Sequence, residues 1–323
     1  MCTAISYQSM HHYFGRNLDY EYHFDEQVTI TPRNFKLPLR NAAAIENHYA
    51  IIGIATIVDN FPLYYDATNE KGLSMAALNF PGNAKYQNAQ KGFHNIAVFE
   101  LIPWLLGQCQ TTQEAKKILQ QTKVIDIPFR SDFPTTPLHW MICDRNNTLT
   151  LEITETGMHI YDNPFHVLSN NPPFPYHKEN INQYLNLTAE EPLNRFHPSL
   201  PLSKISRGMG AIGLPGDASS ISRFIRAAFI RANILPGKDD LQDLSQCFHI
   251  LNSVAQQEGC VVVGKGFEKT IYTSCCDTDS GIYYYTTYYN HQITAVDLHQ
   301  HDLEGMDLSF YPLRTTQKIY WEN

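Results

Sequence analysis

Cys2 follows the initiator methionine, so removing Met1 leaves a first residue that carries both a thiol and a free α-amine. A thiol is intrinsically nucleophilic, and an α-amine with an ordinary pKa of about 8 can accept a proton at neutral pH. One residue then supplies nucleophile and base. Arg16 and Asp19 arrive fourteen and seventeen positions later, far enough for a strand, a turn at His11 and His12, and a return strand that sets a cation and a carboxylate beside the terminus. The plain alternative is that Cys2 is an ordinary second residue of an edge strand.

More distant residues bear on that choice. Asn79 and Asn170 stand at strand ends before proline-bearing turns, in Leu78-Asn79-Phe80-Pro81 and Leu168-Ser169-Asn170-Asn171-Pro172. They read either as turn chemistry or as amide donors aimed at a developing oxyanion. Arg223 lies off the apolar stripe of a helix and in its first turn, where the macrodipole disfavours a cation. It is either solvated or matched by a compensating partner.

Other motifs point away from chemistry. Gly208-Met209-Gly210-Ala211-Ile212-Gly213 has dinucleotide-fingerprint spacing but lacks the preceding apolar strand and following helix, so it reads as a tight, close-approach loop. His299 and His301 beside Asp302 have no third ligand in sequence and read as a solvated loop, so no metal is expected. Tyrosines from Tyr283 to Tyr289 read as a packed sheet face. The seven cysteines include no C-x-x-C pair. All but Cys2 are expected to be reduced and structural.

Composition narrows the class. The chain has 323 residues, 43% of them hydrophobic, and a net charge of −8 without a long basic run, which argues against a nucleic-acid partner. No Lys or Arg precedes Arg16, no apolar leader is present, and no apolar run reaches the ~18 residues of a membrane span. These features predict a protein that is cytoplasmic in its host, with no membrane partner.

The elements that must position these residues follow from periodicity. Strands are expected over 28–31, 50–58, 63–66 and 73–78, the second (AIIGIATIV) apolar enough for burial on both faces. Residues 96–106 and 114–121 read as helices, with Pro103 kinking or restarting the first and Thr111 with Glu114 capping the second. Period-two alternation returns from Leu138 and continues as a meander through 158–161 and 165–168. Residues 172–215 read as a long ordered loop with a short helix near 181–187. Ile221, Phe224, Ile225, Ala228, Phe229 and Ala232 form a helical stripe ended by Pro236-Gly237, and Leu241, Leu244, Phe248, Leu251 and Ala255 form another. Strands over 270–276, 282–288 and 292–296 close the chain. Antiparallel strands with paired helices inserted predict an α+β fold of two packed sheets covered by helices, in a single domain spanning 1–323.

The segments MCTAISY, YFGRNLDYEY, PLYYDATNEKGLSMAALNFPGN, PLHWMICD, IYDNPFHVLSNNPPF, GMGAIGLPGDASSISRFIRAAF, FHILNSVAQQEG and TIYTSCCDTDSGIYYYTTY together resemble the choloylglycine hydrolase family, in particular bile salt hydrolases of Gram-positive intestinal bacteria. The resemblance runs from residue 1 to about residue 310. It implies an N-terminal nucleophile hydrolase fold, a four-layer αββα sandwich of two mainly antiparallel sheets. It also implies that Met1 is removed and Cys2 attacks an amide, with Arg16 beside the thiol, Asp19 on the α-amine, Asn79 and Asn170 as oxyanion and amine-positioning amides, and Arg223 as an active-site cation. No cofactor or metal is implied. The expected substrates are glycine- or taurine-conjugated bile acids, with a steroid pocket at Leu18, Phe24, Val58, Phe129, Phe133 and Thr136, and the expected assembly is a homotetramer. Penicillin V acylases and acyl-homoserine lactone acylases of similar chemistry are the near alternative, but in penicillin V acylases a tyrosine stands where this chain has Asn79. A non-catalytic bile-acid or lipid binding protein is the alternative of another class. It would not require all six catalytic positions.

Overall fold

Alternation along β4 (Ile51–Val58) shows why its sequence is apolar on both faces. Ile52 and Ile54 join one apolar cluster while Ile51 and Ala55 join another on the opposite side. The computed structural model, which describes residues 1–323, repeats this division in β6 (Ser74–Asn79) and β9 (Leu138–Cys143). There Ala76, Leu78, Met141 and Cys143 go one way and Met75, Ala77, Trp140 and Ile142 the other. A strand buried on both faces needs a layer above and a layer below.

Those layers are a second sheet and a pair of helices. The eight-stranded sheet runs β11 (Gly157–Asp162), β10 (Thr148–Thr154), β9, β6, β5 (Phe61–Asn69), β4, β3 (Gln27–Thr31), β18 (Ser309–Pro312). The six-stranded sheet runs β12 (Val167–Leu168), β1 (Cys2–Gln8), β2 (His12–Tyr20), β15 (Lys269–Asp277), β16 (Ile282–Thr287), β17 (Asn290–Asp297). Neighbours are antiparallel throughout both. Helices α1 (Leu101–Leu106) and α2 (Thr112–Leu119) bury Trp104, Leu105, Ala115 and Leu119 on the larger sheet. On the smaller sheet, α4 (Ser220–Asn233) and α5 (Asp240–Asn252) bury Phe224, Ala228, Cys247 and Leu251. The layers therefore stack α, β, β, α, as expected.

Three local expectations are corrected. Residues 96–106 are not one helix: β7 (His94–Ala97) pairs in parallel with β8 (Thr122–Ile125), a short 3₁₀ turn follows, and α1 starts at Leu101. Pro103 falls in the first turn of α1, where a missing N–H costs no intrahelical bond. The helix expected near 181–187 begins earlier, as α3 (Phe174–Asn180), and ends in a 3₁₀ turn at Ile181–Tyr184. Of residues 165–168 only β12 is strand. A small hairpin, β13 (Val262–Val263) with β14 (Gly266–Phe267), and the edge strand β18 carried no periodic signal, being two and four residues long. The glycine-rich segment is indeed a close-approach loop. A Cβ on Gly210 would sit 2.0 Å from the Glu190 carbonyl oxygen, and Gly208 and Gly213 have φ of +77° and +101°.

The hairpin that carries the terminus is anchored by a buried histidine. His12 Nε2 lies 2.8 Å from Ser6 Oγ and Nδ1 lies 2.8 Å from Thr278 Oγ1, two neutral hydroxyls that leave the ring uncharged. Burial pulls its pKa from the ordinary 6.5 down to about 4. Between those values an unfolded chain binds a proton that the folded chain does not, so stability falls as pH drops from 6.5 to 4. Such a shift corresponds to on the order of 3 kcal/mol. Melting temperature is expected to fall over this window, and His12→Gln to flatten that fall while lowering stability at neutral pH; a slope unchanged by the substitution would contradict this account.

Candidate active site

Register in the first hairpin sets Cys2 opposite Leu18 and Ala4 opposite Arg16, so the thiol and the guanidinium share one face of the sheet. That face looks into the space between the sheets. Arg16 is fully buried, and its Nη1 donates to the carbonyls of Tyr65 at 3.0 Å and Ala77 at 2.9 Å in the opposing sheet. Its Nη2 donates to Cys2 Sγ at 2.7 Å. Burial works against this charge, but Cys2, Tyr272, Asp66 and Asp19 outweigh it and hold the guanidinium above its ordinary pKa.

Asp19 lies on the other face of β2, toward the helices. Its Oδ1 accepts from Thr270 Oγ1 at 2.6 Å, and its Oδ2, also buried, has no hydrogen-bond partner. Burial raises the Asp19 pKa, opposed by Arg223, the chain terminus, Thr270 and Arg16. Backbone bonds link Met1 to this residue in both directions, from Met1 N to Asp19 O at 2.8 Å and from Asp19 N to Met1 O at 3.0 Å. The Met1 ammonium also pairs with the carboxylate of Glu268, just before β15. Burial lowers the pKa of this amine, while Cys2 and Asp19 oppose the shift.

Arg223 has the partner that its place in the helix demanded. Ser219 caps α4, its Oγ accepting from Ser222 N at 3.3 Å, and this start turns Arg223 into the protein. Fully buried, its Nη1 donates to Cys2 O and to Thr3 Oγ1, both at 2.5 Å, and its Nη2 donates to Asn170 Oδ1 at 2.8 Å. Asp19 Oδ2 lies 3.8 Å from Nη1. Burial lowers the Arg223 pKa, with Asp19 and Cys2 opposing.

Asn170 ties the remaining pieces together. Its Oδ1 accepts from Cys2 N at 2.7 Å, and its Nδ2 donates to the Asn79 carbonyl at 2.7 Å. Its own N–H donates to Ser220 Oγ at 2.8 Å, which fixes the loop after β12 to the head of α4. Arg16, Asn170 and Arg223 touch Cys2 directly, Asp19 lies beside Arg223, and Asn79 joins the group through its backbone carbonyl on Asn170. Sequence reading missed Thr270, Glu268 and Ser220; a lone hydroxyl or carboxylate at a strand or helix end has no distinguishing local pattern.

The proposed pocket residues are brought together only in part. Leu18 is buried directly across from Cys2. Phe24, just past β2, packs tilted against Tyr20 with ring centroids 5.0 Å apart and reaches Tyr65 at 6.5 Å. Val58 and Phe133 pack on a small cluster that contains Phe129 and Phe61, apart from the two main cores. Thr136 is exposed, and its carbonyl accepts from Tyr86 OH at 2.6 Å. A surface cleft of about 540 Å³ lined by Tyr7, Met10, Arg231 and Ile234 lies at the far end of β1 and contains none of these residues.

The site at Cys2 combines a thiol under a guanidinium, the buried amide of Asn170 and an unpartnered carboxylate oxygen of Asp19, a set suited to acyl transfer. The remaining expected motifs lie elsewhere. His299 is exposed, and the side chains clustered tightly enough for a cation are His11, Asp277 and Asp279, where His11 Nδ1 bonds Asp277 at 2.8 Å and Arg145 bonds Asp279 at 2.6 Å. Tyr283 and Tyr285 are packed sheet residues. All seven cysteines are free thiols, Cys260 alone being exposed. No helix is long and apolar enough to cross a membrane.

Comparison with known proteins agrees with the site. The chain is 49% identical to a bile salt hydrolase/transferase of Lactiplantibacillus plantarum over the full length of both. It superposes on the structure of the mutant C2A conjugated bile acid hydrolase from Clostridium perfringens with a TM-score of 0.93, 37% identity and complete coverage of both chains. A penicillin V acylase from Agrobacterium tumefaciens shares the fold, with a TM-score of 0.75 at 16% identity over 96% of this chain and 91% of that one. The profile of the linear amide C–N hydrolases, choloylglycine hydrolase family, matches residues 2–311. The chain belongs to the choloylglycine hydrolase family and is an amide C–N hydrolase.

Proposed function

We propose that this enzyme hydrolyses the amide bond of glycine- or taurine-conjugated bile acids, with Cys2 as nucleophile once Met1 has been removed. The observation that carries the reading is the convergence of Arg16, Asn170 and Arg223 on Cys2 in a chain so similar over its whole length to a bile salt hydrolase/transferase. Arg16 donates to the sulfur and sets a positive charge beside it, complementary to the charge on the sulfur that attacks. The freed α-amine of Cys2 takes the thiol proton. Its position 2.7 Å from Asn170 Oδ1 and the unpartnered Asp19 Oδ2 give it acceptors as an ammonium.

Attack of sulfur on the amide carbon pushes the carbonyl π pair onto oxygen, and the Asn79 region supplies donors to that oxyanion. Collapse breaks the C–N bond as the α-ammonium protonates the leaving nitrogen. Glycine or taurine departs and a thioester remains on Cys2. Water, giving its proton to the α-amine, attacks the thioester, and expulsion of the thiolate releases the free bile acid. The Phe24 and Phe129 regions would hold the steroid, together with Leu18, Val58, Phe133 and Thr136. No step calls for a metal or organic cofactor.

Parallel turnover of glycocholate, taurocholate and penicillin V tests the substrate class. A conjugated bile salt is expected to be the fastest by at least about tenfold, a transition-state difference of about 1.4 kcal/mol. Faster turnover of penicillin V would transfer the acyl specificity to that class. The same proposal has the chain acting as one domain in the bacterial cytoplasm and as a homotetramer. Supporting the last, the segment 185–212 exposes Leu185, Leu193, Phe196, Ile205 and Ile212, a density of apolar side chains that favours association.

A further inference from the structure

We infer that His139 is a positioning residue that holds Asn79 and Asn170 in mutual register; the inference rests on the role proposed for those two asparagines. They come from segments 91 residues apart and are joined directly only by the bond from Asn170 Nδ2 to Asn79 O. His139, in β9 opposite Leu78, touches the residue next to each. Its ring stacks on Phe80, which follows Asn79, with centroids 4.2 Å apart and planes 4° from parallel. Its Nε2 lies 2.8 Å from the carbonyl of Ser169, which precedes Asn170. One buried ring therefore spans both segments.

Glu152, on β10, fixes the ring from behind. Its Oε1 lies 3.3 Å from His139 Nδ1 and also accepts from Phe174 N at 2.8 Å, at the start of α3. The Ser169 carbonyl can only accept, so Nε2 donates to it, while Nδ1 faces Glu152 Oε1. That arrangement allows one orientation of the ring. His139 and Glu152 are completely buried, and such a polar pair is a poor way to gain stability compared with an apolar one of similar volume. Its geometric yield is what distinguishes it: the backbone at Ser169 and the ring of Phe80 cannot move independently. Ser220 Oγ, bonded to Ser169 Oγ at 2.9 Å, braces the same loop from α4.

Two substitutions separate the contacts. His139→Phe retains an aromatic face for Phe80 and removes the donor to Ser169, whereas Glu152→Gln keeps the shape and weakens the hold on the ring. Misplacing a reacting or stabilising group by about 1 Å can cost about 100-fold in rate. His139→Phe is expected to lower kcat for glycocholate about 10- to 100-fold, with KM and the rate of Cys2 alkylation by iodoacetamide within about twofold of the parent. Combined with Asn170→Ala, it should add little to the loss caused by Asn170→Ala alone, because both substitutions disable the same group. Glu152→Gln should show the same pattern more weakly and carries the test if the phenylalanine variant does not fold.

Unchanged kcat, multiplicative losses in the double variant, or alkylation falling in parallel with turnover would overturn the positioning role. If Asn170→Ala by itself leaves turnover intact, the assignment of the asparagines fails instead.

Discussion

Cys2→Ala is expected to reduce glycocholate turnover by on the order of 10⁴-fold or more while the chain remains folded and still binds the conjugated bile salt. The size follows from what the substitution removes. Without sulfur there is no atom to form the thioester, and the remaining donors can only stabilise a direct attack by water. The fold should tolerate the change because Cys2 is the first residue of β1 and its backbone N–H and carbonyl still meet Asn170 and Arg223. Loss of the sulfur leaves a donor of Arg16 facing a small void, but its other donors remain paired with Tyr65 and Ala77. Steady-state kinetics with a product assay for free glycine, together with a thermal melt and equilibrium binding of glycocholate, checks all three parts. Residual turnover within about tenfold of the parent would remove Cys2 from the nucleophile's role.

Retention of Met1 is expected to be nearly as damaging, at about 10³-fold or more, although every side chain of the site stays in place. With Met1 present the Cys2 nitrogen is a peptide amide and cannot accept a proton. The Met1 amine does not substitute for it, since it is turned to Asp19 O and the Glu268 carboxylate. After removal, the new α-amine has a lone pair beside the thiol, and an ordinary pKa of about 8 leaves part of it in the neutral, proton-accepting form near pH 7. Chain made with methionine aminopeptidase inhibited, characterised by intact mass, provides the comparison. A preparation that retains Met1 and turns over at the processed rate would exclude the α-amine as base.

The layered fold was legible because its signals are local. The continuous apolar run at 50–58 marks a strand buried along most of its length, period-two alternation in residues 148–154 marks a strand that the fold buries on both faces, and the stripe from Ile221 to Ala232 falls within α4. Legibility failed where tertiary pairing overrode a local pattern. Residues 96 and 97 read with the following helix, yet they end β7 because β8 offers a parallel partner 28 residues downstream. Arg223 shows the same limit at the site. Its place in the helix demanded a partner, but no spacing rule could specify that the partners would be Cys2 O, Thr3 and Asn170.

The sequence by itself determined a thiol at position 2, a hairpin able to return Arg16 to it, and the helices and strands that fill two sheets. Resemblance to a family attached Asn79, Asn170 and Arg223 to that terminus before any contact was visible. Only the tertiary structure decided that Arg16 faces the space between the sheets while Asp19 faces the helices, and that Thr270 and His139 stand behind the reacting groups. The physical reason is strand order. Placing β12 and β15 on either side of the first hairpin pairs residues separated by more than 160 and 250 positions, Ala4 with Leu168 and Asp19 with Thr270, and no periodicity within a window of the chain encodes which distant edge a strand will join.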